Sequence, residues 1–105
     1  MELHVLPVIS TNHLTQEVAE RLTKDGNNNP WCVCASWENG FFLHLDELEG
    51  AESEEEPAPQ CLFDIRDWLR AKNLVCTDGD QKFRGDWVRL DSDAEPQDDL
   101  PSYDW

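Results

Sequence analysis

Asn39-Gly40 lies between two apolar runs, residues 31–37 and 41–45, and limits the fold more than any other pair in the chain. Asn-Gly in that setting is the strongest short hairpin signal, because both residues accept the positive φ of a type I′ turn. With Asn39 and Gly40 as the turn, Glu38 faces Phe41, Trp37 faces Phe42, Ser36 faces Leu43, Ala35 faces His44 and Cys34 faces Leu45. Strand alternation then sorts the hairpin into two faces. Cys32, Cys34, Ser36, Leu43 and Leu45 form a small aliphatic face suited to lie under helices. Trp31, Val33, Ala35, Trp37, Phe42 and His44 form an aromatic one.

The rest of the chain is read outward from this hairpin. Residues 4–10 form a short strand, and Pro7, lacking an N–H, makes it an edge strand or sits where no ladder bond is needed. Ser10, Thr11 and Asn12 offer N-caps for a helix whose apolar stripe is Leu14, Val18 and Leu22, ended by Gly26. A second helix spans 61–72 with Leu62, Ile65 and Leu69 as its stripe, and Asn73 caps it. Leu74-Val75-Cys76 begins a short strand or completes the packing of that helix, and residues 77–80 form a turn. Residues 87–91 form the last strand, with Val88 and Leu90 inward and Trp87 outward. The expected class is α+β: a single small sheet of about four strands, two helices on one face, in the order β-α-β-β-α-β. A ferredoxin-like topology is the natural candidate. A chain of 105 residues fits one domain, with an acidic loop at 46–60 and an acidic tail at 91–105.

Charge decides which partners are open to such a fold. There are 23 acids against 8 Lys and Arg, a net charge of −15. That balance repels nucleic acid and anionic membranes and selects basic protein surfaces. Residues 46–56 hold seven acids in eleven positions: Asp46, Glu47, Glu49, Glu52, Glu54, Glu55 and Glu56. Extended at about 3.3 Å per residue, the run carries one charge per roughly 5 Å. As a helix at about 1.5 Å per residue, it carries one per about 2.4 Å, near the spacing in B-DNA. The tail adds Asp91, Asp93, Glu95, Asp98, Asp99 and Asp104 with no Lys or Arg.

The sequence holds few candidates for chemistry. Cys32, Cys34, Cys61 and Cys76 lack the paired spacing of a structural zinc site, and buried free thiols are expected. Asp91-Ser92-Asp93-Ala94-Glu95 opens like a calcium loop, but Pro96 and Ser102 stand where Gly and a bidentate Glu are needed. No metal or cofactor is expected. There is no glycine-rich phosphate loop, and Cys34 and His44 fall on opposite hairpin faces, so the chain does not read as an enzyme. The opening residues carry no basic n-region and no long apolar run, which implies neither signal peptide nor membrane span, and a cytoplasmic setting. The aromatic face, with Trp87 joining Trp31, Trp37 and Phe42, reads as a protein contact, a homodimer face, or a surface buried under Tyr103 and Trp105. The last is preferred, because a tail with two aromatics needs a place to pack.

Three patches together resemble a known family. Leu6-Pro7-Val8-Ile9-Ser10-Thr11-Asn12-His13-Leu14-Thr15 is similar to its opening, and Trp37-Glu38-Asn39-Gly40-Phe41-Phe42 to its central hairpin. Leu90-Asp91-Ser92-Asp93 with Leu100-Pro101-Ser102-Tyr103-Asp104-Trp105 is similar to its ending. The family comprises small uncharacterised acidic proteins of bacterial mobile elements, often encoded near anti-restriction and toxin–antitoxin genes. The resemblance implies relatedness and carries over no functional residues. The expected function is a non-enzymatic acidic inhibitor that occupies the basic nucleic-acid-binding surface of a bacterial defence protein by charge mimicry. The residues assigned to it are the seven acids of 46–56, with Asp91, Asp93, Asp98 and Asp99 second. The alternative is a protein-interaction module, or homodimer, using Trp31, Trp37, Phe42 and Trp87, such as an antitoxin-like partner.

Overall fold

The central hairpin forms, with its pairing displaced by two positions. The computed structural model describes residues 1–46, 48 and 57–104. Strands β3 (Val33–Trp37) and β4 (Gly40–His44) set Trp37 opposite Gly40 and Val33 opposite His44, which leaves Glu38 and Asn39 as the turn. Among the described residues Asn73 is the only non-glycine with positive φ, so the turn is not type I′. Gly40 is extended, at φ 159°. What demands glycine there is a neighbouring strand: a Cβ would lie 1.8 Å from the backbone oxygen of Leu90. A shift of two leaves every side chain on its expected face. Cys34, Leu43 and Leu45 are buried, and Val33, Ala35, Trp37, Phe42 and His44 lie on the opposite face with partial or full exposure.

This hairpin belongs to a four-stranded sheet ordered β2-β7-β4-β3, with β2 at Val8–Ser10 and β7 at Trp87–Asp91. β2 runs parallel to β7, and β7 antiparallel to β4. Pro7 stands just before the edge strand and accepts the Arg89 N–H at 2.9 Å, so its missing donor costs no ladder bond. β7 is central because Val88 and Leu90 are both fully buried.

The expectation of a single ferredoxin-like sheet of about four strands is overturned. The described residues make seven strands in two sheets, and the second sheet, ordered β1-β5-β6, has three. Its strands are β1 (Glu2–Leu3), β5 (Val75–Asp78) and β6 (Gln81–Arg84). Gly79, at φ 60°, turns β5 into β6. β6 holds a single apolar residue, Phe83, so it shows no hydrophobic alternation and does not announce itself as a strand. In the four-stranded sheet the last strand lies between the first strand and the hairpin, and the first is at the edge, which is not the ferredoxin order.

Helix α1 (Gln16–Asp25) begins later than Ser10–Asn12, with Thr15 as its cap accepting the Val18 N–H at 3.3 Å. Ser10 instead caps a 3-10 turn at Thr11–His13. Gly26 closes α1 at φ 53° and donates to Leu22. Helix α2 (Gln60–Lys72) ends at left-handed Asn73, as the sequence implied. Val18, Ala19 and Leu22 of α1 and Cys61, Leu62, Ile65 and Leu69 of α2 share one core with Ile9, Phe41, Leu43, Val88 and Leu90 of the four-stranded sheet. Trp31 belongs to this core as well. It precedes β3, is buried, and has the Arg21 guanidinium 5.4 Å from its ring centroid, so it is not part of the aromatic face.

The C-terminal segment docks on the helical side of the sheet. His13 is buried and uses both ring nitrogens: Nδ1 donates to the Pro101 carbonyl at 2.7 Å, and Nε2 accepts the Gln97 N–H at 2.9 Å. Tyr103 donates its N–H to Asn12 at 2.8 Å, and Leu100 is buried in the core. Asp99 accepts from Trp68 Nε1 at 2.9 Å and from Lys72 Nζ at 2.7 Å. The expected cover over the aromatic face is therefore not provided by residues 92–104. Trp105 lies outside the described residues.

Candidate functional site

The outer face of the four-stranded sheet carries no helix and no described part of the tail. Strand register arranges it in rows. The middle row runs Val8, Arg89, Phe42, Ala35; one flanking row is Trp87, His44, Val33; the other is Asp91, Gly40, Trp37. Because Gly40 has no side chain, Trp37 meets Phe42 diagonally, with ring centroids 4.8 Å apart. The Arg89 guanidinium lies 5.1 Å from the Trp37 centroid and 5.8 Å from that of Phe42, a cation–π pairing on both. Asp91 fixes it from the side, accepting from Nη2 at 2.8 Å. His44 and Trp87 pack edge to face at 4.8 Å. Val8 and Val33 are about half exposed at the rim. Three of the four aromatic residues expected on this face, Trp37, Phe42 and Trp87, are thus brought together, and Arg89 and His44 complete it. Phe42 and His44 follow from strand alternation, whereas the double stacking of Arg89 depends on β7 lying beside β4.

The acids are dispersed. Glu47, Glu49, Glu52, Glu54, Glu55 and Glu56 lie outside the described residues. Asp46 follows β4 at one end of the sheet, and Asp91 pairs with Gly40 at the other. Six residues of strand separate those ends, about 20 Å. The Asp93 N–H and then Arg89 hold the Asp91 carboxyl below the usual carboxylate range. Hydrogen bonds from Lys72 and then Trp68 do the same for Asp99, against α2. Asp93 lies at the Asp91 end, its N–H bonded to Asp91 Oδ1 at 2.9 Å, and Asp98 adjoins Asp99.

One acid that sequence reasoning missed is Asp86. It is buried before β7, and its backbone oxygen accepts the Leu45 N–H at 2.9 Å. Burial first, then the bond and charge of Asp46, push its carboxyl above the usual range, while Arg84 and Arg70 pull the other way. Nothing local in the sequence marks it, since Asp46 and Asp86 are forty residues apart and meet through the β4–β7 pairing.

Burial raises three of the four thiols. Burial pushes Cys32 up to about 12, with the Cys34 charge adding to it, and burial pushes Cys34 up to about 11. Cys61 is raised mainly by burial. Cys76 is buried and accepts the Val5 N–H at 3.2 Å. A cleft of about 500 Å³ is lined by Asn27, Trp31, Cys32, His44 and Asp46 among others, and its one thiol is the Cys32 just described. Among the described residues no group of three or more His, Cys, Asp or Glu is placed to hold a metal ion. Also among them, no helix is long and apolar enough to cross a membrane.

A family model described as the C-terminal domain of a family of unknown function (DUF5983) matches residues 6–105. No curated protein and no solved structure matches the chain.

Proposed function

We propose that this chain, which belongs to the DUF5983 family through its C-terminal domain, is a non-enzymatic protein-binding module that contacts its partner through the outer sheet face. One observation carries this reading: Trp37 and Phe42 stack on Arg89, and His44 packs on Trp87, on one sheet face that no helix and no described part of the tail covers. Aromatic residues and Arg are the types that dominate binding energy at protein interfaces, and rigid rings lose little conformational entropy when they bind. The net charge of −15 selects a basic partner and speeds encounter, a long-range effect that salt screens. It also disfavours a homodimer, in which two such charges would face each other.

Charge mimicry is the second reading, favoured by the acid excess itself. In it, the acids of 46–56 occupy the nucleic-acid groove of a basic defence protein, the kind of neighbour the mobile-element resemblance suggests. The spread of Asp46, Asp91 and Asp99 over different parts of the fold, and the local partners of the last two, weigh against one continuous acidic surface.

Capture from host cytosol at low and high salt tests both. The aromatic reading expects Trp37→Ala with Phe42→Ala to lose the captured protein at both salts, while Glu52, Glu54, Glu55 and Glu56→Gln keeps it at high salt. The reverse pattern, with capture lost in the Gln variant and unaffected by the aromatic changes, overturns it in favour of mimicry.

A further inference from the structure

The three-stranded sheet ends in an open edge. β6 is its outer strand, and its pairs with β5 are Asp78–Gln81, Thr77–Lys82, Cys76–Phe83 and Val75–Arg84. The Gly85 N–H donates to Leu74 at 3.4 Å, which sets the alternation of the ladder. Gln81 and Phe83 therefore bond inward to β5, and the N–H and C=O groups of Lys82 and Arg84 point out from the sheet. No described group caps them. The other edges are shorter or partly covered. The outward Cys34 N–H of β3 is taken by Asn27 Oδ1 at 3.1 Å, and β1 has only two residues.

The two outward residues are also cationic. Lys82 and Arg84 are exposed, and they are two of only eight Lys and Arg in a strongly acidic chain. On the same face of the sheet stand Val75 and Leu3, each about half exposed. A shallow cleft of about 230 Å³ runs alongside, lined by Asn73, Leu74, Val75, Lys82, Phe83 and Arg84. Basic residues on an edge guard against uncontrolled pairing. Here the guard is selective. A second copy pairing antiparallel through β6 would set cation against cation, which is destabilising. A strand bearing carboxylates would meet the opposite charge at each alternate position.

We propose that the β6 edge is a strand-addition site for an extended acidic segment of a partner protein, its carboxylates facing Lys82 and Arg84. The backbone groups of those two residues supply the hydrogen bonds, and the alternating charge sets register and specificity. The site is separate from the aromatic face and does not depend on it.

The test uses the full chain, labelled with nitrogen-15, and a capped octapeptide alternating Glu and Val, with one alternating Lys and Val as control. At saturating Glu-Val peptide, amide exchange at Lys82 and Arg84 is expected to slow at least tenfold, with Gln81 and Phe83 unchanged. Lys82→Pro removes an outward donor without touching the hairpin's own bonds, and should weaken binding at least tenfold. Lys82→Glu with Arg84→Glu keeps the strand and should abolish binding, which covers the outcome in which the proline variant does not fold. Trp37→Ala should leave the peptide affinity unchanged. Absence of protection, equal protection by the Lys-Val peptide, or a concentration-dependent dimer that protects the same amides would each overturn the proposal.

Discussion

Replacing Gly40 by Ala should be far more damaging than a turn position would suggest. The added Cβ would sit 1.8 Å from the Leu90 oxygen, 2.8 Å from the Leu90 carbonyl carbon and 3.2 Å from the Asp91 Cα. All three atoms are backbone, so no rotamer change relieves the clash. Ordinary contact starts at 3.4 Å, so β4 and β7 must part by about 1.6 Å. That takes the Ser92 N–H bond to Asn39, now 2.8 Å, out of hydrogen-bonding reach. Overpacking costs about 1–3 kcal/mol and the lost bond about 0.5–1.5 kcal/mol, so the total is about 1.5–4.5 kcal/mol. For a chain of this size that lowers Tm by roughly 6–18 °C.

Urea and thermal unfolding followed by circular dichroism measure the change. Gly79→Ala is the control: φ is 60° and nothing lies within 4 Å of the added carbon, so only the left-handed backbone is strained, at about 1–2 kcal/mol. Asn39→Ala should cost no more than about 0.5 kcal/mol, because Asn39 does not have positive φ. A Gly40→Ala variant no less stable than Gly79→Ala would refute the strand-contact explanation. A large loss at Asn39 would restore the type I′ turn.

Three further outcomes are expected. His13→Ala strands the Pro101 carbonyl and the Gln97 N–H in a buried setting, at about 2–4 kcal/mol; Trp68 emission should shift as Asp99 leaves its indole N–H, and an unchanged urea midpoint would contradict the docking role. Asp86 has its carboxyl raised in the folded state, so its ionisation opposes folding above the usual carboxylate range; the urea midpoint of Asp86→Asn at pH 7 should therefore match or exceed that of the wild type, and the gain should fade as pH falls into the usual carboxylate range. Native Cys32 and Cys34, with thiols at about 12 and 11, should react with iodoacetamide at pH 7.5 at least about a hundredfold more slowly than in urea; equal rates would show that burial does not protect them.

What was legible in the sequence is what depends on local pattern. The apolar stripe of α2, its Asn73 cap and the β7 alternation appear where periodicity places them, and the hairpin faces survive a register error because the error is even. The register differs from the expected one because Gly40 serves a strand fifty residues further along the chain, not its own turn. The second sheet was missed because β6 alternates charge rather than apolarity, and β1 is two residues long. Asp86 and the double stacking of Arg89 rest on the pairing of β4 with β7, which no local pattern encodes.

The patches that carry the family resemblance also acquire a physical meaning. Asn12 and His13 of the opening hold Tyr103 and Pro101 of the ending through hydrogen bonds of 2.8 and 2.7 Å, and Gly40 of the central hairpin abuts Leu90. Several motif residues thus close the chain on itself, whereas Val8, Trp37, Phe42 and Asp91 lie on the open sheet face. The opening and ending patches therefore serve chiefly to lock the ends of the chain together. The surfaces that discriminate among functions are the aromatic face and the β6 edge. They differ in charge and in geometry, and substitutions at Trp37 and at Lys82 perturb them separately in one chain.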